Sequence, residues 1–497
     1  MRLIHYDELA FGRMIMKTLS KSISILALAA VLVATSCSTG CNTASSTISG
    51  GGGVSSSNSG DNNNGENTNN KTLAGTICMT VPNWLLPTTQ IIADEFSHIH
   101  PDVKITLSTY NFLEFRQYRE SIRFPIMSGQ GLADDIVQSN CFTPWDYLKQ
   151  DWMFVDLLEL MENDPGFIID DYYMNVFEGL AVNGKLFEFP IDFLYLVIGI
   201  SSDAPAEIIE RFKQFDAITF SEVFDLYFDI QDRGDRYVSG YIDAQLLFQR
   251  NLSAFIDFEN RTCNVYSPRF VKLISDAKNA TSPEKVRAGR IGDDGEDMWM
   301  GFLPEAEMKE YAAKHYFHIS FCTNYQLFMP TDEEKTFTHF IPLLSESGKL
   351  GIQSAVETWS IPTTSKNKEV AWEFLKFMAT KEGNKKRLGD QMFVQFVPNK
   401  DFFRYNLPIT LENFAESSIR NYGAPLNSFR NDAAGHSTKI VDMFDRYNQM
   451  PMEWYWLWDS SLSGYVHEIF RAFYADTITA EQAASELHNR VSLLLME

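Results

Sequence analysis

Leu186–Ile200 reads LFEFPIDFLYLVIGI, an apolar run whose only charges are Glu188 and Asp192. A segment so apolar and so long is suited to running from one lobe of a chain into a second. Further on, HYFHISFC (His315–Cys322) supplies a return strand ahead of Pro330. A second α/β stretch follows, with a strand around Trp359 and a helix over Lys366–Thr380 that Ser365 or Asn367 is placed to cap. Two lobes joined by crossing strands form a hinge, and a hinge over a cleft can close on a ligand.

The earlier sequence carries the alternation of an α/β lobe. LAGTICMTVPNW is a β-rich run ending at Pro82, and Ile91, Ile92, Glu95 and Phe96 then recur at helical spacing. Pro101-Asp102 stops that helix before the alternating strand Val103–Leu107. Strand, helix, strand is the opening of an α/β layer. A second helix is predicted to end at Ser128-Gly129, with a strand over Asp135–Gln138 after it. Ligands gather at the carboxyl ends of strands in such sheets, which makes Asn83, Trp84, Ser139 and Asn140 candidate ligand contacts. Trp84 suits a core position and a ligand platform equally.

The N-terminal residues read as an address rather than a fold. From Met16, Lys17 and Lys21 precede an apolar Ile23–Ala34 stretch, too short for a transmembrane helix of roughly 20 residues. Ala34, Thr35 and Ser36 before Cys37 resemble a bacterial lipoprotein processing site, which implies acylation of Cys37; Cys41, preceded by Gly40, is the alternative. Residues 1–37 are therefore assigned to an over-extended start and a signal peptide. Residues 38–72, rich in Gly, Ser and Asn, form a flexible tether whose Asn42–Thr72 part has a root-mean-square span on the order of 30 Å.

Charge and motifs exclude several function classes. Acidic side chains outnumber basic ones 65 to 42, for a net charge of -23, which disfavours a phosphate-binding surface and so a nucleic-acid partner. Cys78, Cys141, Cys263 and Cys322 are widely spaced without any CxxC, a pattern that argues against zinc and is read as four free thiols, with one long-range disulfide as the alternative. The nine histidines form no HExxH, and there is no GxSxG, P-loop or GxGxxG after a strand. No catalytic residue, metal or cofactor is expected. A carboxylate pair for glycoside hydrolysis can come from anywhere in a chain, so a surface-anchored glycoside hydrolase stays open as an alternative.

Several segments, in order, resemble one family. These are Phe96 through HPDVKI, MSGQGLADDIVQSN, FVDLLELMENDPGFIIDDYY, NGKLFEFPIDFLYLVIGI, ITFSEVFDLY, SIPTTSKNKEVAWEFLKFMATKEGNKK and FYADTITAEQAASELHNRV. Together, behind a lipoprotein signal, they are similar to the extracellular solute-binding proteins of ABC importers, family 1, related to maltose-binding protein. The match covers Leu73 to about Thr219, about His315 to Glu382, and Glu453 to the C-terminus. It departs at Gly199-Ile200-Ser201, where the family carries Tyr-Asn.

The resemblance implies an α/β, periplasmic-binding-protein type II-like fold, two α/β lobes joined by hinge strands around a ligand cleft. The expected division is 73–195 and 318–380 for lobe 1, 196–317 and 381–497 for lobe 2. It places Asp192 and Tyr195 at the cleft floor, with hinge packing as their other reading, and Trp145 where the family presents an aromatic. Asn324, Tyr325, Glu357 and Trp359 fall at further cleft-type positions, with ordinary packing or solvent exposure as the alternative. In EWYWLWDSS, Trp454, Trp456 and Trp458 would share one face of a strand, whereas on a helix Trp456 would face away from the other two. The family's late sugar-stacking aromatic maps to Trp456 or Trp458. Sugars stack their C–H faces on such rings, so the expected ligand is a carbohydrate, an oligosaccharide included. The implied protein is a monomeric lipoprotein on the outer face of the bacterial cytoplasmic membrane, handing solute to ABC permease subunits. A solute sensor without a permease is the other non-enzymatic alternative.

Overall fold

The structure is a computed structural model. It describes residues 73–111, 114–142, 146–147, 150–239, 244–281, 313–321, 337–353, 358–385, 396–409, 433–454 and 460–496. Cys37, Cys41 and the tether lie outside these.

The first sheet grows from consecutive sequence. Strand β1 (Gly75–Pro82) is followed by helix α1 (Leu86–Ile99) and strand β2 (Val103–Tyr110), and the two strands pair in parallel from Gly75↔Val103 to Pro82↔Tyr110. Helix α1 buries Thr89, Ile92, Ala93 and Phe96, the face its spacing predicts. Helix α2 (Phe115–Met127) ends against Ser128, and a parallel bridge Met79↔Ile136 brings strand β3 (Val137–Gln138) beside β1. Strand β4 (Phe189–Pro190) completes this layer together with a strand that returns later in the chain.

The second sheet is built around strand β5 (Leu194–Ser201), every residue of which is buried. A strand covered on both faces and flanked on both edges reads as a continuous apolar run, which explains the composition of this segment. Strand β6 (Ile218–Thr219) leads into helix α3 (Phe220–Asp229), which begins with a capping box: Thr219 and Glu222 each satisfy the other's backbone N–H. A small hairpin, β7 (Ile256–Asp257) with β8 (Thr262–Cys263), precedes helix α4 (Pro268–Ala280). Strands β9 (Phe317–Phe321), β10 (Phe337–Leu344) and β11 (Leu350–Gln353) then pair antiparallel with β5. The turn from β10 to β11 is fixed by Glu346, whose carboxylate accepts from the Ser221 N–H and hydroxyl, both at 2.9 Å, and from Arg269 at 2.8 Å.

After β11 the chain re-enters the first sheet as strand β12 (Thr358–Ser360), antiparallel to both β3 and β4. The order there is β2-β1-β3-β12-β4. Helix α5 (Lys368–Met378) packs on this sheet, with Phe374 5.3 Å from Phe96. Its N-cap, Asn367, makes no side-chain cap; Ser365 instead accepts from the Asn367 N–H at 3.2 Å and donates to Asp135 at 2.6 Å. Helix α6 (Ala433–Tyr447), strand β13 (Met452–Trp454), helix α7 (Ser460–Tyr474) and helix α8 (Ala480–Met496) close the chain. Strand β13 lies parallel to β11, giving the order β13-β11-β10-β5-β9 with β6 on β10.

The pairing of the later strands is not consecutive. The strands from 317 to 353 belong with β5, and the return to the first sheet comes at Thr358 rather than at residue 318. Alternation identifies HYFHISFC as a strand, but which strand it pairs with depends on non-local packing that periodicity does not encode.

Candidate functional site

Strand direction sets where each sheet presents its chemistry. In the first sheet β1, β2, β3 and β4 run the same way, and β4 leads directly into β5. In the second, β9 and β10 run antiparallel to β5 and β6 runs with β10, while β11, antiparallel to β10 at Leu344↔Leu350 and to β5 at Ile352↔Tyr195, carries β13 parallel to it. Because β5 arrives from the first sheet, its partners are directed back toward it. The carboxyl ends of β9 and β10 therefore point back toward the sheet that β4 leaves, and the first sheet's own strand ends are where an open α/β sheet presents its ligand groups.

On the first-sheet side, Asn83 and Trp84 directly follow β1, and both are exposed, Trp84 to 43%. The Asn83 N–H donates to the Tyr110 carbonyl at 2.9 Å, which ties the end of β1 to the end of β2. Asn140 is exposed just past β3, while Ser139 beside it is fully buried. The same strand-end logic also selects Tyr110 and Asn111, which sequence reading passed over because the predicted β2 stopped at Leu107. Tyr110 stacks on Tyr118 with centroids 4.1 Å apart and planes 6° from parallel, and its hydroxyl donates to Gln138 at 2.7 Å. Burial raises the Tyr110 phenol well above its ordinary value, so it stays a neutral donor. Asn111 is exposed beside it.

The hinge candidates have a different setting. Asp192, Tyr195 and Trp359 have no exposed surface. Tyr195 packs among Phe396, Phe444 and Tyr447, with ring centroids 5.7, 5.9 and 6.3 Å away. Trp359 lies between Gln138 and Phe189 in the strand register, and its indole N–H has no hydrogen-bond partner among the described residues. Asn83, Trp84 and Asn140 are thus exposed next to the ends of neighbouring strands β1 and β3, while Ser139, Asp192, Tyr195 and Trp359 are buried. Trp145, Asn324, Tyr325, Glu357, Trp456 and Trp458 lie outside the described residues; β13 ends at Trp454, just before the last two. Cys78, Cys141 and Cys263 are free thiols, and Cys322 is outside the described residues.

The family's missing Tyr-Asn at Gly199-Ile200-Ser201 has a local reason. A Cβ on Gly199 would meet the Phe340 ring at 2.5 Å, so the ring can lie against β5 here only because this position carries no side chain.

A model of the bacterial extracellular solute-binding proteins matches residues 323–385, a stretch that contains β10, β11, β12 and α5. Among solved structures, the sugar-binding protein MalE from Xanthomonas citri is similar over 85% of this chain and 98% of its own, at 13% identity and a TM-score of 0.54. An oligogalacturonide-binding protein from Yersinia enterocolitica matches over 85% and 99%, at 15% identity and a TM-score of 0.52. The fold is that of the type II periplasmic binding proteins. A family 1 extracellular solute-binding protein from Alicyclobacillus acidocaldarius shares this type II fold over 85% of this chain and 99% of its own, at 12% identity and a TM-score of 0.51. No curated protein matches the chain. Asn83, Trp84, Asn111 and Asn140 are exposed at or just past the carboxyl ends of β1, β2 and β3.

Proposed function

We propose that this protein is the solute-binding receptor of an ABC importer, capturing a carbohydrate, up to oligosaccharide size, between its two lobes and delivering it to a membrane permease. One observation carries the reading: an exposed indole, Trp84, and the exposed amides Asn83, Asn111 and Asn140 stand at the ends of neighbouring strands of the first sheet. An indole face stacks on sugar C–H groups while amides pair with hydroxyls, a combination suited to carbohydrate. The similarity to proteins described as sugar-binding and oligogalacturonide-binding supports the same ligand class. Binding would favour the closed arrangement only through contacts that both lobes make at once, and no covalent step is required. Ser139, Asp192, Tyr195 and Trp359 then shape the rim and hinge from behind, while Trp145, Asn324, Tyr325, Glu357, Trp456 and Trp458 are assigned to the remaining cleft wall.

In this reading the protein is monomeric and held at the outer face of the cytoplasmic membrane by acylated Cys37, or by Cys41 if processing follows Gly40. Titration calorimetry against a panel of mono- and oligosaccharides is the test. Saturable binding with the sugar recovered unchanged is expected; hydrolysis of the sugar, or no binding across the panel, would overturn the proposal.

A further inference from the structure

Glu188 is buried at the point where the chain leaves the first sheet and where it returns. It immediately precedes β4, which runs on into β5, and β4 is paired with β12, which receives the chain from β11. The register Thr358↔Pro190 and Trp359↔Phe189 sets Ser360 beside Glu188, on the face opposite to Phe189 and Trp359. Ser360 donates to the Phe187 carbonyl at 2.6 Å, and the Tyr147 ring stacks on Phe187 with centroids 5.3 Å apart.

On the described segments next to Glu188, the carboxylates of Asp146 and Asp156 are already engaged. Asp146, next to Tyr147, is paired with Arg123 of α2 at 2.7 Å. Asp156 accepts from the Leu186 N–H at 3.1 Å. The groups that favour an ionised Glu188 are two neutral hydroxyls, those of Tyr147 and Thr358. Burial outweighs them and pushes the carboxyl up to about 7.

We propose that Glu188 is a proton-sensitive clasp on the paired crossings: protonated, it packs as a neutral group between β12 and the turn that carries Tyr147; ionised, it draws water into that layer and loosens the first-lobe end of the hinge. The proposal rests on the fold and not on the identity of any solute. The folded carboxyl holds its proton more tightly than a free glutamate does. Stability therefore falls as pH rises from the ordinary carboxylate range through about 7 and levels off above it.

The experiment is hydrogen–deuterium exchange on the full chain without solute, with rates corrected for intrinsic pH dependence. The ionised fraction of a group titrating near 7 rises about tenfold between pH ~6 and pH ~8, so exchange in peptides covering 186–190 and 358–360 should rise by about that factor. In Glu188→Gln the rise should vanish. Tyr147→Phe removes a hydroxyl that favours ionisation, so it should move the midpoint to higher pH; this variant decides the matter if Glu188→Gln does not fold. An unchanged profile in Glu188→Gln, an unmoved midpoint in Tyr147→Phe, or an equal rise across all peptides would each overturn the proposal.

Discussion

The two sheets of this molecule are assembled by different routes. The first is seeded by β1, α1 and β2, consecutive elements whose strands pair directly, and its exposed groups sit at strand ends. The second gathers β6, β9, β10, β11 and β13 from widely separated positions around one fully buried strand. The rim of the first sheet can change without touching the core, while β5 tolerates no change on either face. Stability is thus concentrated around β5, the ligand recognition proposed for the first-sheet strand ends lies elsewhere, and substitutions should separate the two.

The largest loss is expected in the second sheet. Tyr195→Ala removes a ring packed on three others with no exposed surface, which should cost about 3–5 kcal/mol in denaturant unfolding. A cost under ~1 kcal/mol would mean that β5 is not the centre of the core. Gly199→Ala tests the same strand by addition rather than removal. The new Cβ meets Phe340, and because the obstacle is a buried ring, the expected cost is about 1–3 kcal/mol.

The same contrast explains what the sequence disclosed. Local signals were readable: the spacing of Ile92 and Phe96 marked α1, Pro101-Asp102 marked its end, and strand-end logic reached Asn83, Trp84 and Asn140. What the sequence hid was non-local. The strand at 317–321 was legible, but its pairing with β5 is decided by packing across the whole second sheet. Hinge packing is one of the two readings the sequence offers for Tyr195, but the rings that enclose it, Phe396, Phe444 and Tyr447, come from segments two hundred residues or more away and could not be named from its own surroundings. Strand ends also slipped where polar residues continue a strand: Ser108, Thr109 and Tyr110 extend β2 past Leu107, which is why Tyr110 and Asn111 escaped notice.

The smallest effect on stability belongs to the first-sheet rim. Trp84 follows β1 with 43% of its surface exposed, and the backbone tie between the sheet ends there runs through Asn83 and Tyr110, not through the indole. Trp84→Ala should therefore change unfolding free energy by no more than about 0.5 kcal/mol, within the range of ordinary surface substitutions. Its effect on solute should be larger, because a stacking platform loses its aromatic face and with it about 0.5–1.5 kcal/mol of interaction, a several-fold weaker affinity by calorimetry. Trp84→Phe should recover part of it. If the alanine variant binds sugar as the parent does while unfolding just as late, Trp84 is a bystander on the rim; if it loses stability by several kcal/mol, the indole belongs to the core and the division between the two sheets is less sharp than their architecture implies.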